Sequence, residues 1–407
     1  MKRIYFYIIF VFSSLCLGQE KTNIEKEIIE LKERISILEK KINFKTNNTL
    51  PIHIGGLFKG LIYVPKDRNN RKSEIRMQKT RLEFEMEFSN GFDLLVEPNF
   101  KNGENISVEE AWVGWHPLKS FYGNDNEHPY LHLRVGRIKV PISYEILIPT
   151  KHLDFPDLSP ASYLAPDEDL GVMVDFWPLQ DILLLQPALV NGTAGREKDS
   201  SKDIVLRTEI HPFGKDKSYN FHLGFSYSNG NERYDISGDE LETGFMEPWF
   251  EYSSNTYMTG KRQRFAGETS FAYGPFGLYA DFIFVSHGLK NSYSKRKVRP
   301  KGGHIGVSYY LTGEAKKWKG IDVLNPLGKG GFGAIQLAGR ISFVSLGREY
   351  QNFSSQDNST RGLTELDFGI NWIPVYNAVF QAHVFLNKYR GKLKNDKVFL
   401  LQFLLRF

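Results

Sequence analysis

The sequence predicts an all-β protein: an antiparallel transmembrane β-barrel of about 16 strands, preceded by a signal peptide and a short N-terminal coiled-coil helix. Three observations predict it. Segments with one apolar face recur from residue 52 to the end, alternating at the two-residue period of a strand. Their connections are tight turns on one side and mostly long loops on the other. The chain closes on "VFLLQFLLRF", in which Phe399, Leu401, Phe403, Leu405 and Phe407 share one parity. In water that face is an aggregation hazard; against lipid it is what a barrel requires.

Composition sets the bounds. The chain has 407 residues, 41% of them hydrophobic, and a mean hydropathy of −0.36, too polar for a bundle of membrane helices. Aromatic residues make up 14%, with 31 Phe and 20 Tyr, and aromatics favour strands. The net charge of +5 is spread through the strands, without the concentrated basic stripe of a nucleic-acid binder, so no nucleic-acid partner is expected.

Residues 1–18 read as a signal peptide: Lys2 and Arg3, the short apolar run "IYFYIIFVFSSLCL", then Gly18 as the expected cut. Leu15 stands before Cys16 where a lipidation signal wants a small residue, and the cut removes this single cysteine, so no disulfide is expected. Residues 19–44 carry a coiled-coil helix. Ile28, Ile35 and Ile42 take position a of its heptads, and Ile24, Leu31 and Leu38 take position d. Residues 45–51 are a polar linker. The barrel then spans 52–407, with strands expected at 52–64, 76–88, 92–100, 107–117, 130–140, 169–178, 181–191, 202–212, 217–229, 264–274, 275–286, 301–312, 333–346, 362–373, 376–388 and 397–407. "PWFEY" (248–252) is expected inside a loop. The turns "SNG", "PLQ", "YGP" and "IPVY" are tight, whereas 118–129 and 313–332 are unusually long for the turn side.

The block 131–174 resembles the core of the phosphate-selective porin O and P family. Its marks here are Val135-Gly136-Arg137-Ile138-Lys139-Val140-Pro141 and Pro166-Asp167-Glu168-Asp169-Leu170-Gly171-Val172. "EEAWVGW" (109–115) and "SYYLTGE" (308–314) are similar to two further family blocks, and the resemblance covers roughly residues 50–407. It implies a bacterial outer-membrane porin of sixteen strands, a homotrimer with its coil in the periplasm. The third loop (141–168) is then folded into the lumen as a constriction. Phe407 resembles the terminal signal read by the outer-membrane barrel assembly machinery. Ile at a with Leu at d leans to two-stranded coils; a short coil attached to a trimeric barrel is expected to follow the barrel.

The function so implied is passive diffusion of small hydrophilic solutes, with anions such as phosphate a narrower option, and outer-membrane lipid as the surroundings. Basic side chains in a narrow lumen favour anions, and Arg binds phosphate through a planar fork. Arg81, Arg134, Arg207, Arg264 and Arg340 have inward parity, Arg137 and Lys139 stand at the lip of the third loop, and Lys151 and His152 lie on it. Acidic residues oppose simple phosphate selectivity: Glu145, Asp154, Asp157, Asp167, Glu168 and Asp169 on the loop, and Glu83, Glu85 and Glu87 beside Arg81.

Other chemistry is not signalled. Ser286 and His287 point to opposite faces of a strand. The ten histidines are dispersed along the chain with no pair at metal-ligand spacing. "GKGGFG" (328–333) lacks the strand-to-helix setting of a phosphate loop, and "DEDLG" lacks the spacing of a calcium loop. No cofactor and no catalytic set is expected. The alternatives are a surface-binding or adhesin barrel, suggested by long loops and the basic "KNSYSKRKVRPK", and, with less support, a barrel lipid hydrolase.

Overall fold

The computed structural model describes residues 52–407, apart from 67–71, 89, 102–104, 119–129, 180, 194–200, 215–218, 318–319 and 356–359. The expected signal peptide (1–18), coiled-coil helix (19–44) and linker (45–51) lie outside the described residues. The strands are β1 (Ile52–Lys66), β2 (Glu74–Glu87), β3 (Phe92–Lys101), β4 (Asn105–Trp115), β5 (Leu131–Lys139), β6 (Glu168–Leu179), β7 (Leu183–Val190), β8 (Asp203–Ile210), β9 (Tyr219–Asp235), β10 (Glu240–Glu242), β11 (Pro248–Glu251), β12 (Tyr257–Tyr273), β13 (Phe276–Lys290), β14 (Lys295–Val298), β15 (Lys301–Tyr310), β16 (Ala334–Ser345), β17 (Thr360–Val375), β18 (Ala378–Gly391) and β19 (Asp396–Arg406).

Sixteen of them form a closed antiparallel barrel in which each strand pairs with its neighbour in the chain and β19 returns to β1. The short strands stand apart from the wall: β10 and β11 make a hairpin of their own, and β14 only extends the end of β13. Closure leaves no sheet edge. It is completed at the last residue, where Phe407 N–H donates to the Gly56 carbonyl (3.1 Å) and Gly56 N–H to the Phe407 carbonyl (3.0 Å).

The two faces sort as the alternation requires. Phe58, Ile62, Val113, Phe225, Ile305, Phe368, Phe399, Leu401 and Leu405 are exposed on the outside, an apolar band suited to lipid. Their chain neighbours, among them Lys59, Asp367, Gln402 and Arg406, are buried on the inside, as is Arg340 beside the exposed Ile341. At the turn end Phe332, Trp372, Phe380 and Phe403 run in a chain of ring contacts at 5.2, 5.1 and 4.8 Å, part of an interfacial aromatic girdle.

The loop expected at 230–263 is shorter than its composition suggests, because β9 continues to Asp235 and β12 starts at Tyr257. Asn229, Asn231 and Glu232 break the apolar alternation yet keep the ladder. Beyond the lipid band neither face has to be apolar. "PWFEY", expected inside that loop, does lie there, with most of it ordered as β11. Trp249, Phe250 and Tyr252 are buried with Tyr350 and Phe353 of the 346–359 loop and with Ala161 of the third loop, so the outer loops pack together over the mouth.

Leu400 and Leu404 have inward parity and need cover. Leu400 is covered by Phe245 of the 236–256 loop, with Met246 beside it. Leu404 is covered by Ile321 of the long 311–333 connection.

Candidate functional site

Residues 140–167 leave β5 and return to β6 without forming strand. Prolines at 141, 149, 156, 160 and 166 explain this locally, since proline cannot donate to a ladder and fixes φ. The segment instead folds as single turns, Tyr144–Leu147, Thr150–His152 and Ser162–Leu164. Its base is stapled by Lys139 Nζ donating to the Ile146 carbonyl (3.0 Å).

The loop crosses the lumen to the far wall. Asp281 of β13 accepts hydrogen bonds from Ser143 Oγ (2.7 Å) and from the N–H groups of Tyr144 (3.2 Å) and Glu145 (3.0 Å). The Asp154 carbonyl accepts from Asn371 of β17 (2.7 Å) and Gln381 of β18 (3.3 Å). Lys59 of β1 donates to the Pro156 carbonyl at 2.6 Å. Arg340 of β16 donates to the Glu145 carboxylate (2.7 Å) and the Asp157 carbonyl (2.9 Å). In the strand order β16 is the eighth strand on from β5, halfway round the barrel, so the loop spans a full diameter.

Glu145 and Arg340 form the central knot. Both side chains are fully buried. The Glu145 carboxylate also accepts from Ser159 N–H (2.7 Å), Ser162 Oγ (2.6 Å) and Tyr279 Oη (3.2 Å), and Arg340 lies 4.5 Å over the Phe155 ring. Burial opposes the Glu145 charge, but His304, Arg340 and the donors from Ser162 and Ser159 outweigh it and hold the carboxyl down at about 2. Part of the loop's acidic balance is thereby explained, since Glu145 anchors the loop to Arg340 of the wall. Asp154 binds Lys316 at 2.6 Å and Gln336 at 2.8 Å, which ties the third loop to the turn-side 311–333 connection. Two clefts flank this tie, both lined by His152, Asp154 and Lys316.

A wall that seals its edge, a lipid-facing outside and a loop pinned across the inside describe a constricted channel. The family model of phosphate-selective porin O and P matches residues 58–405. The chain belongs to this family. It is an outer-membrane channel. The fold is similar to that of the outer-membrane channel DcaP of Acinetobacter baumannii, with TM-score 0.58, 11% identity, and 89% of this chain and 99% of that one covered. The anion-selective porin from Comamonas acidovorans aligns with TM-score 0.53 and 8% identity over 88% and 100% of the two chains. OmpT, an outer-membrane protein of Vibrio cholerae in trimer form, aligns with TM-score 0.52 and 10% identity over 88% and 100%. No curated protein sequence matches this chain.

The basic residues named from the porin sequence are each placed beside an acceptor. Arg81 meets Glu83 (2.6 Å), Glu109 (2.9 Å) and Glu97 (3.0 Å). Arg134 pairs with Asp175 and Lys151 with Glu83. Arg137 donates to the Glu109 carbonyl (2.8 Å), 3.7 Å from Glu168. Arg207 is held by Gln186 (2.7 Å), Glu209 and Glu268, and Arg264 by Asp203 (3.3 Å). His152 Nδ1 lies 3.2 Å from Arg406. Among the named cations, Arg340 and Lys139 donate to the third loop directly, Arg137 stands 3.7 Å from the loop's Glu168, and Lys151 reaches from the loop to Glu83 of the wall.

Sequence reasoning missed Lys59, Asp281, Arg262 and Arg406 as site residues. Lys59 and Arg406 have inward parity, which was sufficient to find them. Arg262, bonded to Asp203 (2.9 Å) and Glu232 (2.6 Å), was hidden because its strand begins earlier than the apolar pattern does. Asp281 sits between Ala280 and Phe282 with no local sign that it anchors a loop more than a hundred residues away.

Proposed function

We propose that this porin lets small hydrophilic solutes diffuse passively past the third loop, with weak ion preference, as a homotrimer whose N-terminal coil lies in the periplasm. The supporting observation is the loop crossing from β5 to β16, which narrows the lumen at mid-wall and fixes its gauge. The carboxylates beside Arg81, Arg134, Arg207 and Arg264 argue for weak preference. A phosphate entering such a lumen has to compete with fixed carboxylates for each guanidinium. Trimeric assembly is supported by the trimer form of the Vibrio cholerae protein of similar fold.

Planar-bilayer recordings of the purified, folded porin test this. Stepwise conductance with little discrimination between chloride and potassium is expected, with at most a small change on Arg134→Ala or Lys151→Ala. Absence of channel steps sinks the porin reading. A strong chloride preference abolished by these substitutions replaces weak preference with anion selectivity.

A second reading rests on the hairpin formed by the end of β13 and β14. Lys290, Lys295, Arg296, Lys297, Arg299 and Lys301 are exposed there, with Tyr293 at the tip 97% exposed. Such a cluster supports attraction of an anionic surface polymer at low salt. Salt-independent absence of heparin binding removes it.

A further inference from the structure

We propose that Asp93, His116 and His132 bind a divalent transition-metal ion on the lumen wall at the turn end of the barrel. The three come from separate elements: the start of β3, the residue after β4 and the second residue of β5. Along the chain the two histidines are sixteen residues apart, so no ligand spacing announces them. The antiparallel return of β5 beside β4 brings them together, with their rings stacked at 3.9 Å.

The donor geometry suits an ion. Asp93 offers one carboxylate oxygen to each ring: Oδ1 is 3.1 Å from His132 Nε2 and Oδ2 is 3.5 Å from His116 Nε2. One donor atom from each residue lies within 4.8 Å of the others. Ligands about 2.0–2.1 Å from a tetrahedral ion stand about 3.3 Å apart, so contraction of this set, with the two stacked rings turned to aim their in-plane nitrogens at a common point, encloses one. The space is kept open by Gly114, where a Cβ would lie 2.0 Å from Asp93 Oδ1 and 2.3 Å from His132 Nε2.

The surroundings orient the ligands. Asp175 lies 3.8 Å from His132 Nδ1, on the side of the ring away from Nε2, as an outer carboxylate does for metal-bound histidines. Trp112 meets the same ring edge-on at 5.8 Å. His116 Nδ1 is buried without a hydrogen-bond partner among the described residues, so plain hydrogen bonding leaves this cluster incomplete. Two imidazoles and one carboxylate select zinc, nickel or copper over magnesium and calcium. Three protein ligands leave a coordination position open to the lumen, since the side chains are 13–18% accessible.

The test is calorimetric titration of the whole detergent-folded porin with zinc chloride, with magnesium chloride as control. One saturable zinc site per chain is expected, with no magnesium heat, and His116→Gln and His132→Gln each weaken zinc by at least about tenfold. Retained heat-modifiable mobility on gels shows the variant barrels are folded. Should a variant fail to fold, cobalt added to the wild type decides: visible absorption of a tetrahedral cobalt centre, lost on adding zinc, supports the site. No saturable zinc heat, zinc binding unaffected by both substitutions, or a featureless cobalt spectrum overturns it.

Discussion

Arg340→Met tests whether the third loop is held by its buried ion pair. The substitution keeps an unbranched side chain but removes the donors to Glu145 (2.7 Å) and the Asp157 carbonyl (2.9 Å). It leaves Glu145, fully buried, without its cation, and Asp367 and Glu365 lose the same partner. Stranding one side of a buried pair costs about 3–5 kcal/mol. At about 1.4 kcal/mol per factor of ten, that lowers the ratio of docked to undocked loop by roughly a hundredfold to a few thousandfold. The loop keeps its hold on Asp281, Asn371 and Gln381, so it loosens while the barrel wall persists. Single-channel recordings should show larger, noisier steps. Trypsin supplies a second readout, because Lys151 is the single basic side chain within 141–168 apart from His152, so cutting there reports an undocked loop. Adding Glu145→Gln to the variant removes the stranded charge and should recover part of the docking. Wild-type conductance together with full protection of Lys151 in Arg340→Met would refute the reasoning.

Three further outcomes follow from the same structure. Gly56→Val should hinder barrel closure, since a Cβ at Gly56 lies 2.5 Å from the Phe407 ring; the fraction of heat-modifiable folded protein should fall well below wild type, and an unchanged fraction counts against closure through Phe407. Trp249→Ala empties a fully buried site whose Nε1 donates to the Glu242 carbonyl (3.1 Å). About 3–5 kcal/mol of packing is lost, so chymotrypsin should cut within 236–256 while the barrel stays folded. Acid should release the third loop late. Because the Glu145 carboxyl is held at about 2, below its ordinary 4.5, its contribution is complete above about 4.5 and fades as pH falls toward 2. Trypsin protection of Lys151 has to be read after brief acid exposure and return to neutral pH, so conductance recorded directly at pH 5 and pH 2.5 is the better measure; a rise already complete at pH 5 argues against Glu145 as the anchor.

Much of the fold was legible because lipid imposes a simple rule on sequence. Each of the sixteen expected strands is present, since an outward face in hydrocarbon must be apolar and the next residue then faces inward. The same parity placed Arg81, Arg207, Arg264 and Arg340 inside. It failed where lipid no longer selects. Above the band the paired ends of β9 and β12 read as loop, so Arg262 went unseen. Partners were beyond reach for a different reason: parity gives a side but not a neighbour. Arg340 stands opposite Asp367 only because of the register of β16 against β17. Ser143 meets Asp281 only because the barrel closes.

The sequence alone therefore determined the barrel, its strand number, part of the inward set of charges and the long non-strand segment at 141–168. Tertiary structure decided where that loop goes, which carboxylate answers each arginine, what covers Leu400 and Leu404, and that His116 and His132 share Asp93. The first group depends on periodicity, which a chain carries in its local order. The second depends on closure and register, which bring together residues from opposite walls and have no local trace.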